Sequence, residues 1–334
     1  MTASIPGIHH ITAIGGAAQE NLDFYTGVLG LRLVKTTVNF DDPTTYHLYY
    51  GDRTGRPGTV LTFFPWPRAV QGRVGAGAAS AVSFAIPSGA RDAWHDRLAD
   101  AGVSVETTER FGTDVLQLRA PDGLPLEIVP DPALGAPVEA SPAEASVWTE
   151  GPVPAEQAIR GFFGTTLPAL NLPRTTELFT DVFGWTVEAE SSDRVRLRAP
   201  SGEEGPEEAV GQTVDLQRQP SQSAGRMGRG TVHHVAFRAR DVEEQAAWQS
   251  ALRDRGLQVT DVKDRQYFQS IYFRDADWTS GVLFEIATDG PGFLIDEDEE
   301  TLGTSLRLPS WLEERRTELE ERLPPLDRPT AATA

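Results

Sequence analysis

Four of the six histidines in this 334-residue chain fall in two adjacent pairs. His9-His10 lies in the run Ile-His-His-Ile-Thr near the start, and His233-His234 in Val-His-His-Val-Ala-Phe far downstream. Glu285 follows in Leu-Phe-Glu-Ile-Ala. All three runs are short and rich in Val, Ile or Phe, the composition of buried strands. Imidazoles and a carboxylate converging from neighbouring strands can bind one divalent metal ion. Side chains alternate across a strand, so one His of each pair faces such an ion and its neighbour points elsewhere or reaches the site from the rim. The chain has no cysteine, which removes thiolate sites and disulfides and leaves His and oxygen ligands.

An internal repeat supplies the elements that must carry these residues. Residues 7–14 read as a strand, 18–29 as a helix with Leu22, Tyr25, Val28 and Leu29 on one face, and 31–39, 45–50 and 58–64 as further strands. This is one β-α-β-β-β unit. A second runs from about Ala79, with a strand at 81–86, a helix at 91–101 and strands at 103–105, 115–119 and 124–129. A third has a strand at 162–167, a helix around 175–183 and strands to about Gln217; the fourth spans 231–287. The run from Gly72 lies over the run from Gly225 at an offset of 153, and at 154 Trp94 meets Trp248, Leu98 meets Leu252 and Tyr25 meets Phe179. The expected fold is therefore α+β, with four βαβββ modules in two tandem domains (6–132 and 159–290) whose curved mixed sheets form an open, barrel-like cleft. A Pro-, Ala- and Glu-rich linker (133–158) and a C-terminal extension (291–334) with a short helix at 310–322 complete the chain.

The repeat defines two slots per module. The first-strand slots are His10, Ala81, Gly164 and His234. The last-strand slots are Thr62, Glu127, Asp215 or Gln217, and Glu285. Modules 1 and 4 together offer His10, His234 and Glu285, with Thr62 where a fourth ligand could stand. Two His and one carboxylate with open positions is the arrangement of non-haem Fe(II) sites that activate oxygen; Mn(II), Ni(II) and Zn(II) also suit such ligands. Modules 2 and 3 offer no imidazole.

Hydrophobic content of 39% and charged content of 24% fit a globular protein, and no apolar run is long enough to span a bilayer. The opening residues show no signal peptide, so a cytoplasmic location is expected. A net charge of −19 argues against nucleic acid as a partner.

The four-module pattern, Phe24-Tyr25-Thr26-Gly27-Val28-Leu29-Gly30-Leu31 and the two His-His strands resemble the vicinal oxygen chelate (glyoxalase/bleomycin resistance/dioxygenase) superfamily. Within it, the chain is similar to the hydroquinone ring-cleaving dioxygenases of the 2,6-dichlorohydroquinone 1,2-dioxygenase type. The likeness runs over residues 6–308, through Tyr46-His47-Leu48-Tyr49-Tyr50, Pro57-Gly58-Thr59-Val60, Asp264-Arg265-Gln266-Tyr267-Phe268 and the tail around Gly292-Phe293. The resemblance implies Fe(II) on His10, His234 and Glu285, and outer-sphere roles for His9, Thr12, His233, Arg265 and Tyr272. It implies an extradiol-type dioxygenase whose partners are a small aromatic diol and O2, in a homo-oligomer. His233 or Tyr272 would then move protons, Arg265 would stabilise negative charge, and Tyr267 and Phe268 would border the ring.

Plainer readings stand beside these. His9 and His233 also fit core hydrogen bonding, Arg265 an exposed charged turn, Tyr272 a buried strand residue and Glu127 a structural carboxylate. His47 reads as structural and His95 as a surface residue. A glyoxalase-like isomerase or lyase, which usually spends a second carboxylate on its metal, and a non-catalytic protein that binds small aromatics are the alternative functions.

Overall fold

The computed structural model describes residues 4–134, 146–200, 210–219, 225–274 and 281–329; positions 135–145 of the expected linker and 330–334 of the tail lie outside them. The Val-, Ile- and Phe-rich runs form two eight-stranded sheets. The first takes β1 (Ile8–Gly15), β2 (Arg32–Asn39), β3 (Asp42–Gly51) and β4 (Val60–Pro65) from the start of the chain. It takes β13 (Thr231–Ala239), β14 (Lys263–Asp264), β15 (Phe268–Arg274) and β16 (Leu283–Pro291) from near its end. Its order is β14-β15-β16-β13-β1-β4-β3-β2. The second sheet holds β5 (Ala81–Pro87), β6 (Glu106–Arg110), β7 (Thr113–Arg119) and β8 (Pro125–Asp131), joined to β9 (Gly161–Ala169), β10 (Thr186–Glu190), β11 (Arg194–Arg198) and β12 (Thr213–Arg218). Its order is β10-β11-β12-β9-β5-β8-β7-β6.

Each sheet thus joins one module from each half of the chain. In the first, β1 and β13 run antiparallel, with Thr12 opposite His234 and His10 opposite Ala236. Parallel pairing sets Thr12 beside Thr62 on β4 and Ala236 beside Glu285 on β16, and antiparallel pairing sets Tyr272 beside Glu285. This register carries His10, His234 and Glu285 to the middle of one sheet.

The helices bury the residues that the repeat aligned. Helix Arg91–Asp100 buries Trp94 and Leu98, and Val242–Asp254 buries Trp248 and Leu252. Asp241 caps the latter by accepting from the Glu244 N–H. Gln245, on the same helix, donates to the carbonyls of Gln269 and Ile286, both at 2.8 Å, and so fixes the helix to β15 and β16.

The helix expected at 18–29 divides into an α-helical turn, Ala18–Leu22, and a π-helical turn, Asp23–Val28. Its repeat partner does the same over Leu172–Glu177 and Leu178–Val182. The wider turn is closed by i→i+5 bonds such as Leu29 N–H to Phe24 O, and its aromatics, Tyr25 and Phe179, are fully buried. Residues 103–105 are not a strand; that edge strand begins at Glu106. The helix at 310–322 starts as a 3-10 turn over Ser310–Arg315 and becomes α-helical at Arg316–Arg322.

The C-terminal extension covers β2, an edge of the first sheet. The Arg307 N–H donates to Thr36 O at 2.9 Å, and Leu306 bridges to Thr36. Lys35 is fully buried here, and its ammonium donates to Asp296 and Glu297, both at 2.5 Å, and to Phe293 O. Covering an edge in this way removes a free template for strand pairing.

Candidate metal centre

His10 on β1, His234 on β13 and Glu285 on β16 are all buried and bring one ligand atom each to a common point. His10 Nε2 lies 3.3 Å from His234 Nε2 and 3.6 Å from Glu285 Oε2, and His234 Nε2 lies 2.9 Å from the same oxygen. Ligands bound at about 2.1 Å and at right angles around one ion stand ~3 Å apart, so these three atoms match one face of an octahedron. Among the described residues Glu285 Oε2 has no hydrogen-bond donor despite its closeness to His234, while Oε1 accepts from Ser270 Oγ at 2.5 Å. A sealed carboxylate oxygen without a donor is costly. The two imidazoles beside it meet that cost if all three atoms share a cation.

Each of the two histidines is hydrogen-bonded to its chain neighbour. His9 Nδ1 is 2.9 Å from His10 Nδ1, and His233 Nδ1 is 2.8 Å from His234 Nδ1. If each ligand ring donates its Nδ1 proton to the adjacent His, its Nε2 lone pair is free for the ion. Burial holds the imidazoles neutral, as metal binding requires. It lowers His9 to about 4 and His233 and His234 to about 3, and it outweighs Glu285 in pulling His10 well below the ordinary value.

The three ligands open onto a cavity of about 320 Å³. Phe40, Phe64, Trp66 and Phe268 give it apolar walls, and Thr12, Arg265, Tyr272 and His233 add polar groups. Arg265 Nε donates to Tyr272 Oη at 3.2 Å, and its Nη1 pairs with Asp41 at 3.1 Å across the cavity mouth. Burial opposes the Arg265 charge, yet Tyr272 and Asp41 outweigh it and raise its pKa. Burial, followed by the Glu285 charge, raises Tyr272, so the phenol keeps its proton.

Of the expected site residues, Thr12, His233, Arg265 and Tyr272 line the cavity with the three ligands, whereas His9 sits behind His10 against Phe268. Phe268 borders the cavity as expected. Tyr267 does not: its ring is buried against Phe293 and its hydroxyl donates to Asp296. His47, read from sequence as structural, also lines the cavity. It belongs to a chain in which Tyr49 Oη lies 2.8 Å from His47 Nδ1, His47 Nε2 lies 2.8 Å from Thr62 Oγ1, and Thr62 Oγ1 lies 2.9 Å from Thr12 Oγ1. Thr62 is thus occupied by hydrogen bonds where a fourth ligand could have stood. Ser270 and Asp41 were missed; neither stands in a slot that the repeat marks. His95 is on the surface.

A larger cavity, about 780 Å³, borders the second sheet and includes none of the three ligands. Chemistry, not size, identifies the metal centre.

Comparison with known proteins places the chain in one family. A family profile described as Glyoxalase/Bleomycin resistance protein/Dioxygenase superfamily matches residues 7–128 and 163–286. MhqO of Bacillus subtilis (strain 168), provisionally named a ring-cleaving dioxygenase, is 46% identical over 98% of both chains. A chlorohydroquinone/hydroquinone 1,2-dioxygenase of Sphingobium indicum is 36% identical over 94% of this chain and 95% of its own. A crystal structure from Bacillus subtilis, provisionally named a dioxygenase, superposes with a TM-score of 0.88 at 45% identity over 97% of this chain and 98% of that one.

Proposed function

The chain belongs to the glyoxalase/bleomycin resistance protein/dioxygenase superfamily, and from that premise we propose that it is a hydroquinone ring-cleaving dioxygenase of extradiol type, with Fe(II) held by His10, His234 and Glu285. The observation that carries this reading is the three-ligand face itself. It opens onto an aromatic-walled cavity in a chain 36% identical to a hydroquinone 1,2-dioxygenase. Bound there, ferrous iron supplies acidification of a ring hydroxyl and a site for oxygen activation. Mn(II) fits the same donors.

The protein's own groups hold the ring and manage its charge. The cavity is of a size for one substituted ring between Phe268 and the Phe64–Trp66 wall. The Arg265 guanidinium offsets negative charge developing on the ring oxygens. Tyr272, which accepts from Arg265, has its own proton to donate to an oxygen in the cavity. His233, whose Nδ1 accepts from His234, carries its proton on Nε2 and can donate a hydrogen bond to a ring oxygen. The Thr12–Thr62–His47–Tyr49 chain holds the opposite wall. Cleavage between a hydroxyl-bearing ring carbon and a hydrogen-bearing neighbour places both atoms of O2 in the product, as a carboxylic acid and an aldehyde. No outside reductant is consumed.

The test is oxygen uptake by anaerobically prepared, iron-loaded protein given hydroquinone. Stoichiometric uptake with ring opening is expected, and His234→Ala should abolish both metal retention and uptake. Isomerisation without oxygen consumption would point instead to glyoxalase-type chemistry. Tight binding of aromatics without turnover would point to a sequestering protein. The same reading divides the chain into halves at 6–132 and 159–290, which limited proteolysis between 133 and 158 tests.

A further inference from the structure

The second sheet carries a counterpart of the metal centre, built from different chemistry. Strand register identifies the matching positions. Ser83 pairs with Glu127 as Ala236 pairs with Glu285, Gln117 faces Glu127 as Tyr272 faces Glu285, and Thr166 pairs with Asp215 as Thr12 pairs with Thr62. The ligand histidines are replaced by Ala81 and Gly164. Arginines occupy the space instead. Arg110 grips Glu127 through two nitrogens at 2.7 and 2.5 Å, and Arg196 grips Asp215 through two at 2.8 and 3.0 Å. These pairs satisfy both carboxylates and leave no vacant ligand for a metal.

Arg194 is the third cation of this cluster, and it has no carboxylate of its own. It is 8% exposed, and only its Nη1 is engaged, at 3.1 Å from Asp215 and 3.3 Å from Thr166. Its Nε and Nη2 make no hydrogen bond among the described residues, and neither is sealed from solvent. That pair of nitrogens is the edge that Arg196 and Arg238 each present to an aspartate. Burial, then the Arg110 charge, outweighs Asp215 and Glu127 and pulls the Arg194 pKa below its ordinary value. Arg194 borders the cavity of about 780 Å³, whose walls include apolar Ala81, Leu118 and Leu126 and, in balanced number, the cations Arg110 and Arg119 and the carboxylates Glu106 and Glu127.

We infer that this second cleft is a binding site for a small organic carboxylate, gripped by the free Nε/Nη2 edge of Arg194 with its apolar body against Ala81, Leu118 and Leu126. One uncompensated charge in a planar fork matches a monocarboxylate. The apolar walls favour an organic body over an inorganic ion. A ring-opened acid of the kind dioxygenation yields is in this class, an identification that rests on the ring-cleavage reading; the site itself does not.

Calorimetric titration of the full-length protein with sodium benzoate, with benzamide as the neutral shape control, tests the inference. Saturable binding of one benzoate per chain is expected, with benzamide at least tenfold weaker. The site should persist in His234→Ala, which separates it from the metal centre. Arg194→Met should weaken benzoate at least tenfold. Ala81→Phe, which fills the cleft and leaves every charge in place, should do the same and decides the matter if Arg194→Met does not fold. No saturable binding at millimolar benzoate, equal affinity for benzamide, binding that survives both cleft substitutions, or loss on His234→Ala alone would each overturn it. Failure of hydroquinone to consume oxygen while benzoate still binds would sink the ring-cleavage reading and leave this site standing.

Discussion

At the scale of single residues, the proposed metal centre depends on groups that would not touch the ion. Ser270 engages one oxygen of Glu285 and leaves the other turned to the histidines. Removing that donor should free the carboxylate to rotate. Ser270→Ala is expected to lower metal affinity by about 10–100-fold, the usual cost of losing such a partner. Competition against a chelator measures it, and unchanged affinity would show that strand packing alone orients Glu285. The buried imidazoles make a second prediction, about acidity. Their folded pKa values lie below the ordinary 6.5 of an unfolded chain. As pH falls, the unfolded state therefore takes up protons first. Stability of the metal-free protein should be full above about pH 6.5 and decline from there towards pH 4, at ~1.4 kcal/mol per pH unit for each histidine. Thermal midpoints of chelated protein between pH 7.5 and 5 provide the check. A flat profile would mean that the rings are solvated.

The elements show where tertiary partners override local pattern. Lys35 sits in a strand run, Leu-Val-Lys-Thr-Thr, where a lysine ordinarily faces water. It is buried because Asp296 and Glu297, more than 250 residues on, come to meet it. No local window contains that information. The Asp41–Arg265 pair and the π-helical turns escaped for the same reason: a partner distant in sequence, or a hydrogen-bond pattern that leaves no mark on periodicity. By contrast, the module pattern, the joining of modules 1 and 4 and the convergence of His10, His234 and Glu285 could be read from sequence. Repeat arithmetic converts local matches into spatial ones. That His47 borders the cavity was not legible, because its hydrogen bonds to Thr62 and Tyr49 exist only once the strands have paired. Docking of the extension also depends on Gly303. Its φ is +76°, and an added Cβ would stand 2.0 Å from Leu33 O. Gly303→Ala should therefore cost at least ~1–3 kcal/mol of stability and loosen the extension. Urea midpoints and faster amide exchange around Thr36 would register the change; an unaltered midpoint would show that the backbone there yields freely.

On the scale of the whole molecule, the second half holds His234 and Glu285 but lacks the strand bearing His10. A fragment of residues 159–334 should bind metal far more weakly than the full chain. Adding residues 1–158 in trans should recover much of the loss, as β1 is restored beside β13. Equal affinity for the fragment alone would show that His10 is dispensable. The distance along the chain also has a consequence for synthesis. The two ligand histidines are 224 positions apart, and the carboxylate comes later still. A ribosome must finish nearly the entire first sheet before all three groups could close on a metal ion. A truncated or stalled product therefore lacks the complete set of three groups, and under the proposed function it would hold no metal in place for reaction with oxygen.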